Sequence, residues 1–231
     1  MSDDGTPCPP PKRRGANRGL RFPPEVLTRG EVMSLMDACS KRGEGIRNRA
    51  MIAVLYRSGL RISEALALRP KDIDLDRGAI RVLHGKGDRA RTVGIDEGGL
   101  GYLRLWLVWR ASHGLDGRHT IFCQCNGRRL ESSYVRVMLP RLGRRAGIEK
   151  RVHGHGLRHT HAAEMRSEGI DIGIISKQLG HRSIATTARY LDHIAPYAVV
   201  EAVRRRLWEA SPPSEWPYIG ALPALPITGT P

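Results

Sequence analysis

The 231-residue sequence predicts a mainly α fold with a small three-stranded antiparallel sheet set near its start. Three observations lead there. Apolar residues recur at helical spacing between residues 28 and 68. They then alternate between 73 and 92, and return to helical spacing from about 97 to 205. Apolar residues make up 40% and charged residues 26%, an ordinary globular balance on a chain long enough for one sizeable core or two small ones.

The elements follow in order. Residues 1–24 hold six prolines and the basic cluster Lys12, Arg13, Arg14, and read as a disordered basic arm suited to phosphate contact. Thr28 and Glu31 have the spacing of a capping box, and Val32, Leu35 and Met36 mark one face of the helix that follows. A second helix spans roughly 46–58 on Met51, Val54 and Leu55, and Gly59 ends it. A short third helix carries Ile62, Leu66 and Leu68 up to the Arg69-Pro70 break. Ile73 and Leu75, then Ile80, Val82 and His84, then a stretch from Thr92 give three strands separated by glycine-containing turns. Further helical segments centre on 104, 137, 163, 175, 186 and 201. Trp106 and Trp109, three apart, read as core. The last 21 residues hold six prolines and no lysine or arginine, and read as a loose Pro-rich tail, 211–231.

The net charge of +15 points to a polyanionic partner, with nucleic acid foremost. Cys8, Cys39, Cys123 and Cys125 form no disulfide framework, and no second cysteine pair completes a metal site with Cys123 and Cys125. No run approaches the ~20 apolar residues of a membrane helix, and the N-terminus lacks a signal-peptide core. A reduced, cytoplasmic, DNA-associated protein without membrane contact is expected.

The densest chemical signal is HGHGLRHTHAAEM, residues 153–165. Four histidines suggest a metal, but Arg151 and Arg158 would repel a divalent cation, and the carboxylate such a site usually wants is no nearer than Glu164. No metal and no cofactor is expected. Read as an anion site, His155 and Arg158 lie three apart at the start of a helix expected near Leu157, where imidazole, guanidinium and helix N-terminus together suit a phosphate. Arg61 stands just after Gly59 with Glu64 placed to orient it, although the pair could equally be an ordinary helix salt bridge. Lys86 sits between two glycines at a turn, and Arg89 and Arg91 continue that basic edge toward DNA. His181 follows a glycine, and Tyr190 lies nine residues on.

SGLRISEALAL, GKGDRARTV, HGHGLRHTHAAEM and LGHRSIATTARY together resemble the boxes of the tyrosine recombinase (phage integrase) family, in the family's order, over about residues 25–208. The resemblance implies a recombinase catalytic domain over 25–210, and a site-specific recombinase, integrase or resolvase, that cleaves and rejoins double-stranded DNA through a 3′-phosphotyrosyl intermediate. It implies Tyr190 as nucleophile and Arg61 and Arg158 as holders of the phosphate oxygens. It further implies Lys86 as general acid, His155 as the group assisting proton transfer, and His181 as a hydrogen-bond donor to the phosphate. Glu64 and His159 would be supports, His161 a packing residue, and His153 a surface or DNA-backbone residue.

The family's usual helical clamp domain before the catalytic one is not seen in this sequence. Three forms stay open: a minimal recombinase, a truncated copy from a mobile element, and a chain needing an accessory protein. The competing expectation is a non-catalytic, recombinase-derived DNA-binding protein. The family pattern also implies a homotetramer on synapsed DNA, with the segment holding Tyr197, Val199, Val200, Val203 and Leu207 exchanged between subunits.

Overall fold

Thr28 starts the first helix as its spacing to Glu31 predicts: its hydroxyl accepts from the Glu31 amide (3.1 Å), and the Glu31 carboxylate accepts from the Thr28 amide (2.6 Å). In the computed structural model, residues 25–83, 90–115, 117–181, 183–194, 200, 203 and 204 are described. The chain divides into two units, 1–196 and 197–231. Of the second, only Val200, Val203 and Arg204 are described. The expected arm with Lys12, Arg13 and Arg14, the turn residues Lys86 and Arg89, and the tail all lie outside the described residues.

In the first unit, helix α1 (Arg29–Asp37) buries Val32, Leu35 and Met36. Helix α2 (Gly43–Ser58) begins one turn earlier than 46. That extra turn carries Gly43 and Gly45, whose poor helix propensity conceals it from a sequence reading. Ala50 through Leu55 are all essentially inaccessible, so the middle of α2 is apolar all round and forms the axle of the domain. Helix α3 (Ile62–Ala67) stops before Leu68, and a 3-10 turn, Pro70–Asp72, leads into the sheet. The strands are β1 (Ile73–Asp74), β2 (Ala79–Val82) and β3 (Arg91–Gly94), antiparallel in the order β1-β2-β3. The expected meander is therefore present, and Lys86 belongs to the connection between β2 and β3.

The remaining helices are α4 (Glu97–Ser112), α5 (Ser132–Arg145), α6 (Gly154–Ser167), α7 (Ile172–Leu179) and α8 (Ile184–Ile194). Trp106 of α4 is fully buried and stacks on Trp109. Cys123 is buried in a tight hairpin paired with Arg129, and Cys39, Cys123 and Cys125 are free thiols. Among the described residues, no helix is long and apolar enough to cross a membrane.

Two apolar clusters result. The larger joins α1 to α5 and the sheet, and takes in Leu157 of α6. The smaller joins Ala162 of α6, Ile175 and Leu179 of α7, and Leu191 and Ile194 of α8. Helix α6 thus spans both, with the sequence's histidine cluster at the junction.

Candidate active site

The site begins where α2 ends. Gly59 is left-handed (φ 63°), and a Cβ there would sit 2.6 Å from the His161 ring, so only glycine fits the turn. The turn delivers Arg61 to the N-cap of α3, where its own backbone amide and its Nη1 both donate to Glu64, at 2.9 and 2.8 Å. Burial alone would raise the Glu64 carboxyl. The two guanidiniums of Arg91 and Arg61 and the Arg61 amide overcome that and hold it down at about 2.

Helix α6 starts at Gly154 rather than near Leu157. His153 is its N-cap: its Nδ1 accepts from the Gly156 amide at 2.6 Å. That corrects the expectation of a surface or DNA-contacting role for His153. The earlier start places His155 in the first turn, exposed, and Arg158 one turn deeper and almost fully buried. Arg158 Nη1 donates to the Gly59 carbonyl at 2.6 Å, and its Nη2 donates to the Leu179 carbonyl. Burial and the nearby Arg61 charge push the guanidinium down to about 10, which leaves it charged at neutral pH.

Tyr190 arrives from α8. Its ring stacks on His159 (centroids 5.1 Å apart) and meets His181 edge-on (5.3 Å). Burial raises its hydroxyl to about 12 against the opposing pull of Arg158 and then of Arg61. His181 is fixed by Thr187, whose Oγ1 lies 2.9 Å from its Nδ1, leaving Nε2 available. Burial, then the charges of Arg158, Arg61 and Arg91, lowers His181 to about 4. His155 is lowered by desolvation and then by Arg158 and Arg61. His159 is lowered to about 4 by burial and then by its neighbouring histidines and Arg158. The imidazoles at this site are therefore neutral at pH 7, and the positive charge resides on guanidiniums.

The fold accordingly brings Arg61, Glu64, His155, Arg158, His159, His181 and Tyr190 to one place. Lys86 and Arg89 lie outside the described residues. Arg91 departs from the expected outward basic edge: its Nη1 and Nη2 both bind Glu64 at 2.9 Å, and it is largely buried. Sequence reasoning also missed Thr187, and Gln178 of α7. The Gln178 amide accepts from Gly94 N (2.9 Å) and donates to Gly94 O (2.8 Å) and Ser58 O (3.1 Å), tying α7 to β3 and to the end of α2. The four clustered histidines diverge: one caps, one lies at the rim, one stacks, and His161 turns away to pack on Gly59. Among the described residues, no three or more His, Cys, Asp or Glu side chains converge as a metal site would require.

Chemically, Arg61, Arg91 and Arg158 outweigh the one carboxylate of Glu64, so net positive charge faces a protonated phenol beside neutral imidazoles. Such a set holds a phosphate and supplies both a nucleophile and groups able to accept its proton.

Comparison with known proteins supplies the family. The sequence pattern of the phage integrase family matches residues 25–195. The tyrosine recombinase XerC of Xanthomonas axonopodis pv. citri is 36% identical over 175 residues, covering 76% of this chain and 56% of the relative. The tyrosine recombinase XerD of Bifidobacterium longum is 32% identical over 197 residues, covering 80% of this chain and 63% of the relative. The chain thus spans somewhat over half the length of these curated relatives. Among solved structures, the XerA recombinase superposes with a TM-score of 0.70 at 33% identity, covering 82% of this chain and 68% of that one. The XerH recombinase in a post-cleavage complex with its palindromic difH substrate gives 0.64 at 27%, covering 80% and 54%. By sequence pattern, by relatives and by architecture, the chain belongs to the phage integrase family, the tyrosine recombinases.

Proposed function

We propose that this protein is a site-specific recombinase that cleaves and rejoins duplex DNA through a 3′-phosphotyrosyl intermediate on Tyr190. The observation that carries the reading is the position of Tyr190, stacked on His159 and edge-on to His181, within the field of the Arg158 and Arg61 guanidiniums. A phosphodiester seated there would meet two guanidiniums on its non-bridging oxygens, where charge grows in the transition state.

Each side chain then has a role in a balanced displacement. The Tyr190 oxygen attacks phosphorus, the bond to the 5′-oxygen breaks, and the phosphotyrosyl link conserves the bond for rejoining. A phenol near 12 is protonated at rest, so its proton must leave as the bond forms. His155, neutral and at the rim, is the acceptor. His159 lies on the face of the phenol ring and orients it. His181 offers its Nε2 to the phosphate. Lys86, from the β2–β3 connection, protonates the departing 5′-oxygen.

The basic arm adds phosphate contacts, and Arg89 does so from the β2–β3 connection. A further DNA-gripping polypeptide, in cis or as an accessory protein, completes the hold on the site. Exposed Val200 and Val203 support exchange of the segment after α8 between subunits of a synaptic tetramer. The test is a duplex nicked beside the cleavage point, built on inverted repeats that flank the gene. Wild type should form an SDS-resistant protein–DNA adduct, and Tyr190→Phe should form none while binding DNA within about two-fold of wild type. Salt-dependent binding with no adduct from wild type would instead make the chain a non-catalytic DNA-binding derivative.

A further inference from the structure

We propose that Arg91 is a positioning residue of this site, which keeps Arg61 free to serve a phosphate by taking up the charge and the oxygens of Glu64. The proposal rests on the recombinase reading above.

The Glu64 carboxylate is almost inaccessible and accepts four hydrogen bonds, two on each oxygen. Arg61 supplies one from its backbone and one from its guanidinium. Arg91 supplies the other two, as a fork at 2.9 Å on each oxygen. A carboxylate held by Arg61 alone would cancel its charge one for one and draw the guanidinium toward itself. With Arg91 also on both oxygens, the trio carries a net single positive charge, and Arg61 is braced rather than neutralised.

Two further contacts give Arg91 reach beyond Glu64. Its side chain passes across Gly180: a Cβ there would lie 2.7 Å from Arg91 Nε. The turn before His181 is therefore shaped around this arginine. Arg91 is also the first residue of β3, so the fork on Glu64 fixes the anchor at which the Lys86-bearing connection ends. One side chain thus ties the first arginine box, the lysine connection and the final histidine turn together. A contact to DNA, the role suggested by its neighbours in sequence, does not fit a guanidinium turned inward onto a buried carboxylate.

The test is a double-mutant cycle read as single-turnover cleavage of the nicked duplex at saturating DNA. Arg91→Gln should slow cleavage by about 10- to 100-fold and leave DNA affinity within about two-fold. In an Arg61→Gln background the same substitution should change the rate by less than about three-fold, because the residue acts through Arg61. Arg91→Lys keeps the charge without the fork and should fall between wild type and Arg91→Gln; thermal melts of both variants show that they are folded. Independent, multiplicative losses would overturn the proposal. So would an Arg91→Gln variant with unchanged rate and a reduced salt dependence of binding, the signature of a simple phosphate contact. The guanidinium NMR signals of Arg61 in the DNA-free protein decide the matter separately. They should shift in Arg91→Gln, and an unchanged spectrum overturns the brace. A wild type that forms no covalent adduct refutes the recombinase reading while leaving this measurement to judge the brace itself.

Discussion

At the scale of single residues, burial decides which histidines carry protons. His161 is buried against Gly59, its Nε2 has no partner, and burial, then Arg57 and Arg158, lowers it to about 4 against the opposing pull of Asp96. An unfolded chain protonates that ring near the ordinary 6.5. The stability it allows is thus complete above pH 6.5 and is lost as pH falls toward 4. The midpoint of thermal unfolding should drop across that window in wild type. His161→Phe should flatten the drop and match or exceed wild type at pH 5, since an unpaired buried polar atom costs about 1–3 kcal/mol. A steeper acid loss in the variant would contradict this. Much of the site was legible at this scale because residue types and their order carry the chemistry: Arg61, His155, Arg158, His181 and Tyr190 were all named from sequence. Arg91 was misread because strand spacing does not reveal which distant carboxylate a side chain meets, and Glu64 lies 27 positions away.

At the scale of elements, the start of α6 governs the site, since it sets where His155 and Arg158 stand. Removing the cap acceptor with His153→Ala should cost about 0.5–2 kcal/mol, a fall in melting temperature of about 2–4 °C per kcal/mol in a chain of this length. His153→Asn, whose side chain caps well, should recover most of it. The sequence hid this cap because the usual cap-forming types are Ser, Thr, Asp and Asn, and the neighbouring Gly154 and Gly156 read as loop. At the other end of the site, Gly180 is left-handed (φ 66°) and its open face is filled by Arg91. Gly180→Ala should therefore slow cleavage as Arg91→Gln does, by about 10-fold or more, in single-turnover assays, while leaving DNA affinity near wild type.

At the scale of the whole molecule, one fully buried arginine joins the larger cluster to its surface hairpin. Arg47 of α2 donates to Asn48 Oδ1, to the Cys123 carbonyl (3.3 Å) and to Tyr134 OH (2.7 Å), with its guanidinium 5.0 Å from the Tyr134 ring. Arg47→Ala would open a cavity and strand these partners, so unfolding should come at a melting temperature lower by about 6–12 °C, the effect of ~3 kcal/mol. Arg47→Met, which fills the space, should lose less. The fold class, the three-strand order and the helix count through α8 follow from periodicity, which reports which faces are apolar. The long-range ties made by Arg47 and Arg158 do not, because each depends on a backbone carbonyl that any residue type could present. Gln178 has the widest consequence. β3 is an outer strand of the sheet, and its outward Gly94 N–H and C=O are both taken by one side-chain amide. Gln178 works as a strand one residue long. It takes those two groups out of reach of another chain, and it opposes a slip of β3 in register, since a shift by one residue would turn Gly94's polar groups away from the Gln178 amide. Were several copies to be brought onto adjoining DNA sites, as the proposed function has it, this edge would not be open to mistaken pairing.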